Sequence, residues 1–328
     1  MEEHTTLNLK GVVEFHITSV CNLQCKNCNR FSNYKFKGWQ RWEDYKEVYA
    51  NWASKVNFPV IYILGGEPTL NPTFMEWFVG LRNLWPNSYI TIVTNGTRLD
   101  KVPGLYDEVL KHKDKTLLEV NIHSQEVYHR TKKSIDNFLH GPCIEENDGA
   151  DLLRMYDTIK GNDWPDTITN LNDLPESIKQ EIKHNFNDIL PFEPRSITDR
   201  NGVKIECVYS TFFYNISLIE QGNKFNLHNS DIKKAHDVCF SKKCHTMYKG
   251  KFYKCPVTAL LPEFVDQNDF ELSNTDRELV YNADSVDSTN SIDEIKAFWD
   301  FSESDTPVPQ CKFCPANLET VYTEATFK

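Results

Sequence analysis

Cys21-Asn22-Leu23-Gln24-Cys25-Lys26-Asn27-Cys28 is a C-x3-C-x2-C loop, and it follows closely on the apolar run Val12-Val13-Glu14-Phe15-His16-Ile17. A loop of that length wraps three thiolates around one small inorganic centre. A closed structural zinc site takes four ligands, and a cubane iron–sulfur cluster that only carries electrons takes four cysteines. Three cysteines in so short a loop therefore point to a [4Fe–4S] cluster with one iron open to a substrate or cofactor. The other reading is a zinc loop whose fourth ligand lies elsewhere, for instance at His16.

Two further segments bear on that choice. Gly65-Gly66-Glu67-Pro68 follows the apolar run Val60-Ile61-Tyr62-Ile63-Leu64, and Thr94-Asn95-Gly96 follows Tyr89-Ile90-Thr91-Ile92-Val93. A cysteine loop after the first strand, a GGEP after the second and a TNG after the third resemble, in order and spacing, the radical S-adenosylmethionine (radical SAM) superfamily over roughly residues 10–140. A third reading, a non-enzymatic zinc-binding interaction protein, leaves these motifs unexplained.

Apolar runs alternating with helical patterns predict parallel βαβ units. Strands are expected at Val12 to Thr18, Val60–Leu64, Tyr89–Val93 and Leu117–Ile122. Helices are expected on the stripe Trp42, Tyr45, Tyr49, Trp52, Val56, on the stripe Phe74, Phe78, Leu81, Leu84, near Tyr106–Lys113, and over 125–139. All three motifs fall at strand carboxyl ends, where such sheets bind ligands. Residues 29–41, with Phe31, Tyr34, Phe36 and Trp39, read as a cover over the cysteine loop. Residues 144–200 read as a polar insertion with helices near 150–160 and 175–189. Val203–Tyr209 and Phe212–Leu218 look strand-like and are candidates to complete the sheet. The resemblance implies an α/β fold, a partial (β/α)6 TIM-like barrel open on one side.

The last third holds Cys239, Cys244, Cys255, Cys311 and Cys314. Alternation around Lys249-Gly250 predicts a β-hairpin with Cys244 and Cys255 nearly opposite. Cys311-Lys312-Phe313-Cys314 is a tight C-x2-C. The pattern resembles the twitch domain, the short form of the SPASM extension of radical SAM enzymes. It implies a small C-terminal α+β domain over 231–328, after a core over 1–230, with one auxiliary [4Fe–4S] cluster on Cys239, Cys255, Cys311 and Cys314. Cys239 fits the family spacing and Cys244 the hairpin geometry, so Cys244 stays an alternative ligand, and a four-cysteine zinc site stays an alternative centre. Only fourteen residues, none of them cysteine, follow Cys314, so two auxiliary clusters are not expected. Residues 262–295 read as an acidic, solvated excursion. Cys143 and Cys207 read as buried thiols.

The resemblance further implies two clusters per chain and S-adenosylmethionine as cofactors. Cys21, Cys25 and Cys28 would hold the SAM-binding cluster. Gly65, Gly66, Glu67 and Pro68 would contact the methionine amino group or shape its site, and Thr94, Asn95, Asn121 and Ser124 would line the remainder. The position before the third cysteine is usually aromatic in that family and is Asn27 here, which leaves the adenine contact to Phe31 or another ring. The implied reaction is hydrogen abstraction by a 5′-deoxyadenosyl radical from a small polar substrate (sugar, cyclitol or nucleotide), as in a dehydrogenase or epimerase, with flavodoxin or ferredoxin as electron donor. A peptide-modifying maturase is the alternative. Such enzymes often carry an extra N-terminal domain, and only eleven residues precede the first strand here.

The chain has 328 residues, 40% hydrophobic and 12% aromatic, which is ample for a core. A net charge of −11 and a pI near 5.4 argue against a nucleic-acid partner. Met-Glu-Glu-His-Thr-Thr is no signal peptide, and no apolar run approaches the roughly 20 residues of a membrane span. Ten cysteines, with tight C-x3-C-x2-C and C-x2-C spacings among them and no secretory signal, suit a reducing cytoplasm.

Overall fold

The computed structural model describes residues 6–34, 36–146, 195–209, 212–214, 218–221, 224–239, 241–317, 320–322 and 325–328. The expected helices near 150–160 and 175–189 lie outside them. In chain order the first strands and helices are β1 (Val12–His16), β2 (Leu23–Cys25), α1 (Trp42–Lys55), β3 (Val60–Leu64), α2 (Phe74–Leu84), β4 (Tyr89–Thr94), α3 (Leu105–Lys111), β5 (Thr116–Ile122) and α4 (Gln125–Phe138). There follow β6 (Cys143–Glu146), β7 (Arg195–Asp199), β8 (Lys204–Tyr209), β9 (Phe212–Tyr214), α5 (Ile232–Asp237), β10 (His245–Tyr248) and β11 (Lys251–Tyr253). The chain continues with α6 (Pro256–Asp266), α7 (Asn274–Tyr281), β12 (Ser285–Asp287), α8 (Ile292–Glu303), β13 (Thr320–Tyr322) and β14 (Ala325–Phe327).

Six strands run parallel in the order β10-β1-β3-β4-β5-β8, inside a ten-stranded sheet. Antiparallel partners close both edges, β11 and β12 beyond β10, and β7 and β6 beyond β8. Of the two segments expected to complete the sheet, only Lys204–Tyr209 joins it. β9 pairs instead with β13 in a separate ribbon. The sixth parallel strand is β10, the first arm of the hairpin expected around Lys249-Gly250. Both turn residues have positive φ, +49° and +78°, as a two-residue hairpin turn demands. The edge of β1 facing away from β3 would otherwise present unpaired backbone groups, and β10 covers it.

One face of the sheet is packed by helices. Val13, Phe15, Ile17, Ile61, Ile63, Ile90, Ile92, Leu118 and Val120 meet Tyr49 and Trp52 of α1, Trp77, Phe78 and Leu81 of α2, Val109 of α3 and Ile135 of α4. Burying each large side chain contributes about 1.5–3 kcal/mol. The other face curls inward. Val12, Val60 and Leu117, from β1, β3 and β5, form one cluster with Tyr62 and Val208. Strands this far apart in the sheet order share a cluster only where the sheet bends toward a barrel. The next inward positions on β1, β5 and β8 are Glu14, Glu119 and Glu206, all buried.

The acidic stretch 262–295 is not a solvated excursion. It holds the C-terminal end of α6, all of α7, the edge strand β12 and the start of α8, with Phe264, Val280 and Val286 buried. Its acidic side chains lie on the exposed faces of these elements, which average composition hides. Cys207 is buried as expected. Cys143 is exposed, because β6 is the outermost strand of its edge. No helix among the described residues is long and apolar enough to cross a membrane.

At Gly80 in α2 an added Cβ would stand 2.1 Å from Cζ2 of Trp42. Alanine is the better helix former by about 1 kcal/mol, but overpacking costs about 1–3 kcal/mol. Gly80→Ala is therefore expected to lower the urea midpoint. A raised midpoint would show that the Trp42 ring slides aside at no cost.

Candidate active site and a second cysteine cavity

The three motifs form one hydrogen-bonded assembly. Gly66 N–H donates to Thr18 O at 2.6 Å and Glu67 N–H to Val20 O at 2.8 Å. A Cβ would lie 2.3 Å from Thr18 O at Gly65 and 2.4 Å from Val20 O at Gly66. Only glycines allow this approach, which clamps the entrance of the cysteine loop. Glu67 has no exposed surface. Its Oε1 accepts from Thr69 N–H, Thr69 Oγ1 and Thr94 Oγ1, and its Oε2 from Asn95 N–H at 2.8 Å. Burial pushes its pKa up, and these donors oppose the shift. Asn95 Nδ2 donates to Asn22 Oδ1, and Asn22 Nδ2 to Thr97 Oγ1, both at 2.9 Å. The third motif is thus tied directly to the residue after Cys21. Gly96 takes φ +70° against Val120 and Thr131.

Cys21, Cys25 and Cys28 gather with Leu23, Val127, Ala325 and Phe327. β2 pairs antiparallel with β14, Cys25 opposite Ala325. Burial, then the Glu67 carboxylate, push the Cys21 thiol up to about 12, and Lys328 opposes them. Cys25 is pushed up by burial, then by Cys28 and Cys21. Thiols that raise one another's pKa in a buried loop become thiolates when a cationic centre binds between them. This donor set fits an iron–sulfur cluster.

The other expected contacts divide. Pro68 opens a buried 3-10 turn, and Thr94 is spent on Glu67. Asn121 donates to Glu119 Oε1 at 3.0 Å. The Ser124 hydroxyl caps α4 and donates to Ala325 O at 2.8 Å. Phe31, the candidate ring for adenine, is stacked on Phe264 at 4.6 Å and walls a different cavity. His16 contacts Ser19 Oγ at 3.3 Å and the ring of Tyr248.

That different cavity is lined by Cys239, Cys255, Cys311 and Cys314, with Asn29, Phe31, His236 and Lys254. Burial, then Cys255, push Cys239 up to about 12. Cys314 rises through burial, then through Cys255, Cys239 and Cys311. Cys244 does not line this cavity. Hairpin register places it opposite Cys255, yet after burial it feels Glu14 and Arg30 before Cys239. Among the described residues no group of three His, Cys, Asp or Glu side chains could hold a metal ion, so one ion at either cysteine group would need the side chains to move.

Several residues escaped the sequence reading. Lys254 is 3% exposed, donates to the carbonyls of Phe301, Ser302 and Ser304, and ties this cavity to the end of α8. His236 is buried with its Nε2 lacking a partner. Arg30 binds Glu14 at 2.8 Å. A lysine next to Cys255 in the sequence was the one available signal.

Glu67→Gln places an amide NH2 among groups that are themselves donors. An unsatisfied buried group costs about 1–3 kcal/mol, so the variant is expected to lose that much stability in urea unfolding, and to bind less iron at the first cysteine group. Unchanged stability would mean that Glu67 does not hold the motifs together.

Comparison with solved structures finds native anSMEcpe with bound AdoMet, 21% identical, over 39% of this chain and 40% of that chain, at a TM-score of 0.32. Streptococcus suis SuiB bound to S-adenosylmethionine is 15% identical over 56% of this chain and 50% of that chain, at a TM-score of 0.33. This chain thus aligns with about half or less of either structure, and overlaps this weak carry no argument. No curated protein matches. Residues 15–188, more than half of the chain, match the family described as Radical SAM superfamily. With its mixed α/β, parallel-rich sheet and the three motifs joined at one end, the chain belongs to the radical SAM superfamily.

Proposed function

We propose that the chain is a radical SAM enzyme that holds one [4Fe–4S] cluster on Cys21, Cys25 and Cys28 and a second on Cys239, Cys255, Cys311 and Cys314. The second would belong to a twitch-type domain over 231–328, whose hairpin is built onto β1. The enzyme would act on a small polar substrate in the barrel, as a dehydrogenase or epimerase. It would draw electrons from flavodoxin or ferredoxin and work in a reducing cytoplasm. The observation that carries this reading is the joining of cysteine loop, GGEP and TNG through Glu67.

When bound, cluster and S-adenosylmethionine together supply one-electron cleavage of the sulfonium to a 5′-deoxyadenosyl radical. This chain's residues hold the setting. The clamped Gly65–Gly66 segment fixes the loop against the entrance of the first cysteine group. Asn95 stays in place through Asn22 and Thr97, and Asn121 faces the lumen beside Glu119. Ser124 serves the helix cap and β14, so its part is to hold that wall. Four thiols around one cavity favour Cys239 over Cys244 as the fourth ligand. Only Asn29 and Arg30 separate Cys28 from Phe31, which lines the second cavity, and the second centre would pass an electron to the first.

Iron and acid-labile sulfide after anaerobic reconstitution test this. About eight irons per chain are expected, falling to about four in Cys21→Ala/Cys25→Ala/Cys28→Ala. Cys239→Ala is expected to lose iron from the second group, while Cys244→Ala keeps it. With dithionite and S-adenosylmethionine the wild type should form 5′-deoxyadenosine, and the triple variant none. Zinc without iron at both groups overturns the reading.

A further inference from the structure

We propose that Lys254 fixes one positive charge beside Cys255 and Cys311 and thereby raises the reduction potential of the cluster held in the second cavity. This rests on the reading of that cavity as a [4Fe–4S] site, and it gives a role to a residue outside the ligand set.

Lys254 stands between β11 and α6, directly before Cys255, and lines the cavity together with the four cysteines. Lysine is almost never fully buried unless paired. The partners here are the carbonyls of Phe301, Ser302 and Ser304, at 3.3, 2.9 and 3.2 Å from Nζ. They belong to the last turn and the cap of α8, where a helix runs short of N–H donors. A neutral amine has only two N–H bonds to give, so three acceptors around one nitrogen call for the ammonium. The Phe301 ring, its centroid 5.0 Å from Nζ, adds a face that attracts a cation.

Carbonyls hold this charge without cancelling it. A carboxylate partner would remove a full unit, whereas a helix end returns about half a unit of negative charge. Lys242, also on the cavity wall, is matched by Asp305 at 3.1 Å. Burial lowers the Lys254 pKa, and Cys255, then Cys311, Glu303 and Asp305, act against that. Two sulfurs of the cavity thus lead the negative groups that the ammonium meets. The side chain is held at both ends. Its far end is pinned by α8, and its near end follows β11, which is paired on both sides by β10 and β12.

A four-cysteine cluster is anionic, because four thiolates outnumber the positive charge of its core, and reduction adds one more negative charge. Net charge, hydrogen bonds to sulfur and solvent exposure set such potentials. A fixed cation nearby stabilises the reduced state more than the oxidised one, and a buried charge is screened little by salt. In the reduction, one electron arrives from flavodoxin or ferredoxin and enters the core. No bond breaks, no proton moves, and Lys254 keeps its three N–H bonds on the carbonyls of α8.

The test is a redox titration, followed by electron paramagnetic resonance, of the full-length chain reconstituted with iron and sulfide. The signal of the second cluster is the one that persists in Cys21→Ala/Cys25→Ala/Cys28→Ala. Lys254→Gln keeps two N–H donors for the α8 carbonyls and removes the charge, and Lys254→Arg keeps the charge. The glutamine variant is expected to make the second cluster at least tenfold harder to reduce, a fall of about 59 mV for a one-electron couple. The arginine variant should stay near the wild type. Iron per chain and the urea midpoint are read on the same samples. A lysine that only caps α8 would change the urea midpoint and leave the potential where it was, and that result overturns the proposal. An equal fall in Lys254→Arg overturns it too, as does a glutamine variant that no longer loads the second cluster. A wild type with about four irons, and none in the triple variant, overturns the cluster reading of the second cavity and this proposal with it. About eight irons with an unmoved potential overturns this proposal alone.

Discussion

The Glu67 carboxylate carries the geometry of the candidate site. Two oxygens accept from Thr69, Thr94 and Asn95 with no water access. Each partner belongs to a loop that leaves the sheet at the carboxyl end of a strand. A charged acceptor with several donors in a dry place is strong and directional. The cysteine loop is held next, through backbone bonds from Gly66 and Glu67 to Thr18 and Val20. Three loops that would otherwise move independently are thereby set against one another before any cofactor arrives. The acid costs burial energy, and its return is placement.

The second constraint is the free edge of β1. That strand delivers the cysteine loop, and its outer edge is paired by β10, the same hairpin arm that leads to Cys255. Strand pairing fixes the second cysteine group in register with the first. Phe31 and Phe36 pack on Phe264 of α6, and Asn29 and Phe31 wall the second cavity. The segment after Cys28 is therefore less a cover over the first site than a partition between the two. Phe31 holds φ +59° to reach its place, uncommon for a bulky residue, and its stack on Phe264 repays that strain.

Much of this was legible in the chain because local signals agreed with the global fold. Val60–Leu64 read as a buried strand, and Gly65-Gly66-Glu67-Pro68 after it as part of the site at the strand's end. Alternation around Lys249-Gly250 marked the hairpin turn, and both residues take positive φ there. What was not legible depended on partners far away in sequence. Nothing in Phe212–Leu218 says that β9 pairs with β13 in place of the sheet. Nothing in His245–Tyr248 says that it is the sixth parallel strand. Composition misled over 262–295, where amphipathic helices place acids outward over a buried Phe264 and Val280. Cys239 and Cys244 could not be separated by spacing, because the choice depends on which way the thiol turns. Cys239 lines the cavity with Cys255, Cys311 and Cys314, and Cys244 does not.

The lumen shows why a buried charge needs a functional account. Parallel strands in such barrels usually fill their interior with branched apolar side chains, and Val12, Val60 and Leu117 do so at the floor. One position further along β1, β5 and β8 the same strands carry glutamates. Apolar side chains there would have given a more stable empty barrel. Arg30 is paired with Glu14, and Oε2 of Glu119 is buried without a hydrogen bond. Such an arrangement is stable enough to fold because the helix-packed face of the same strands buries a large aromatic core.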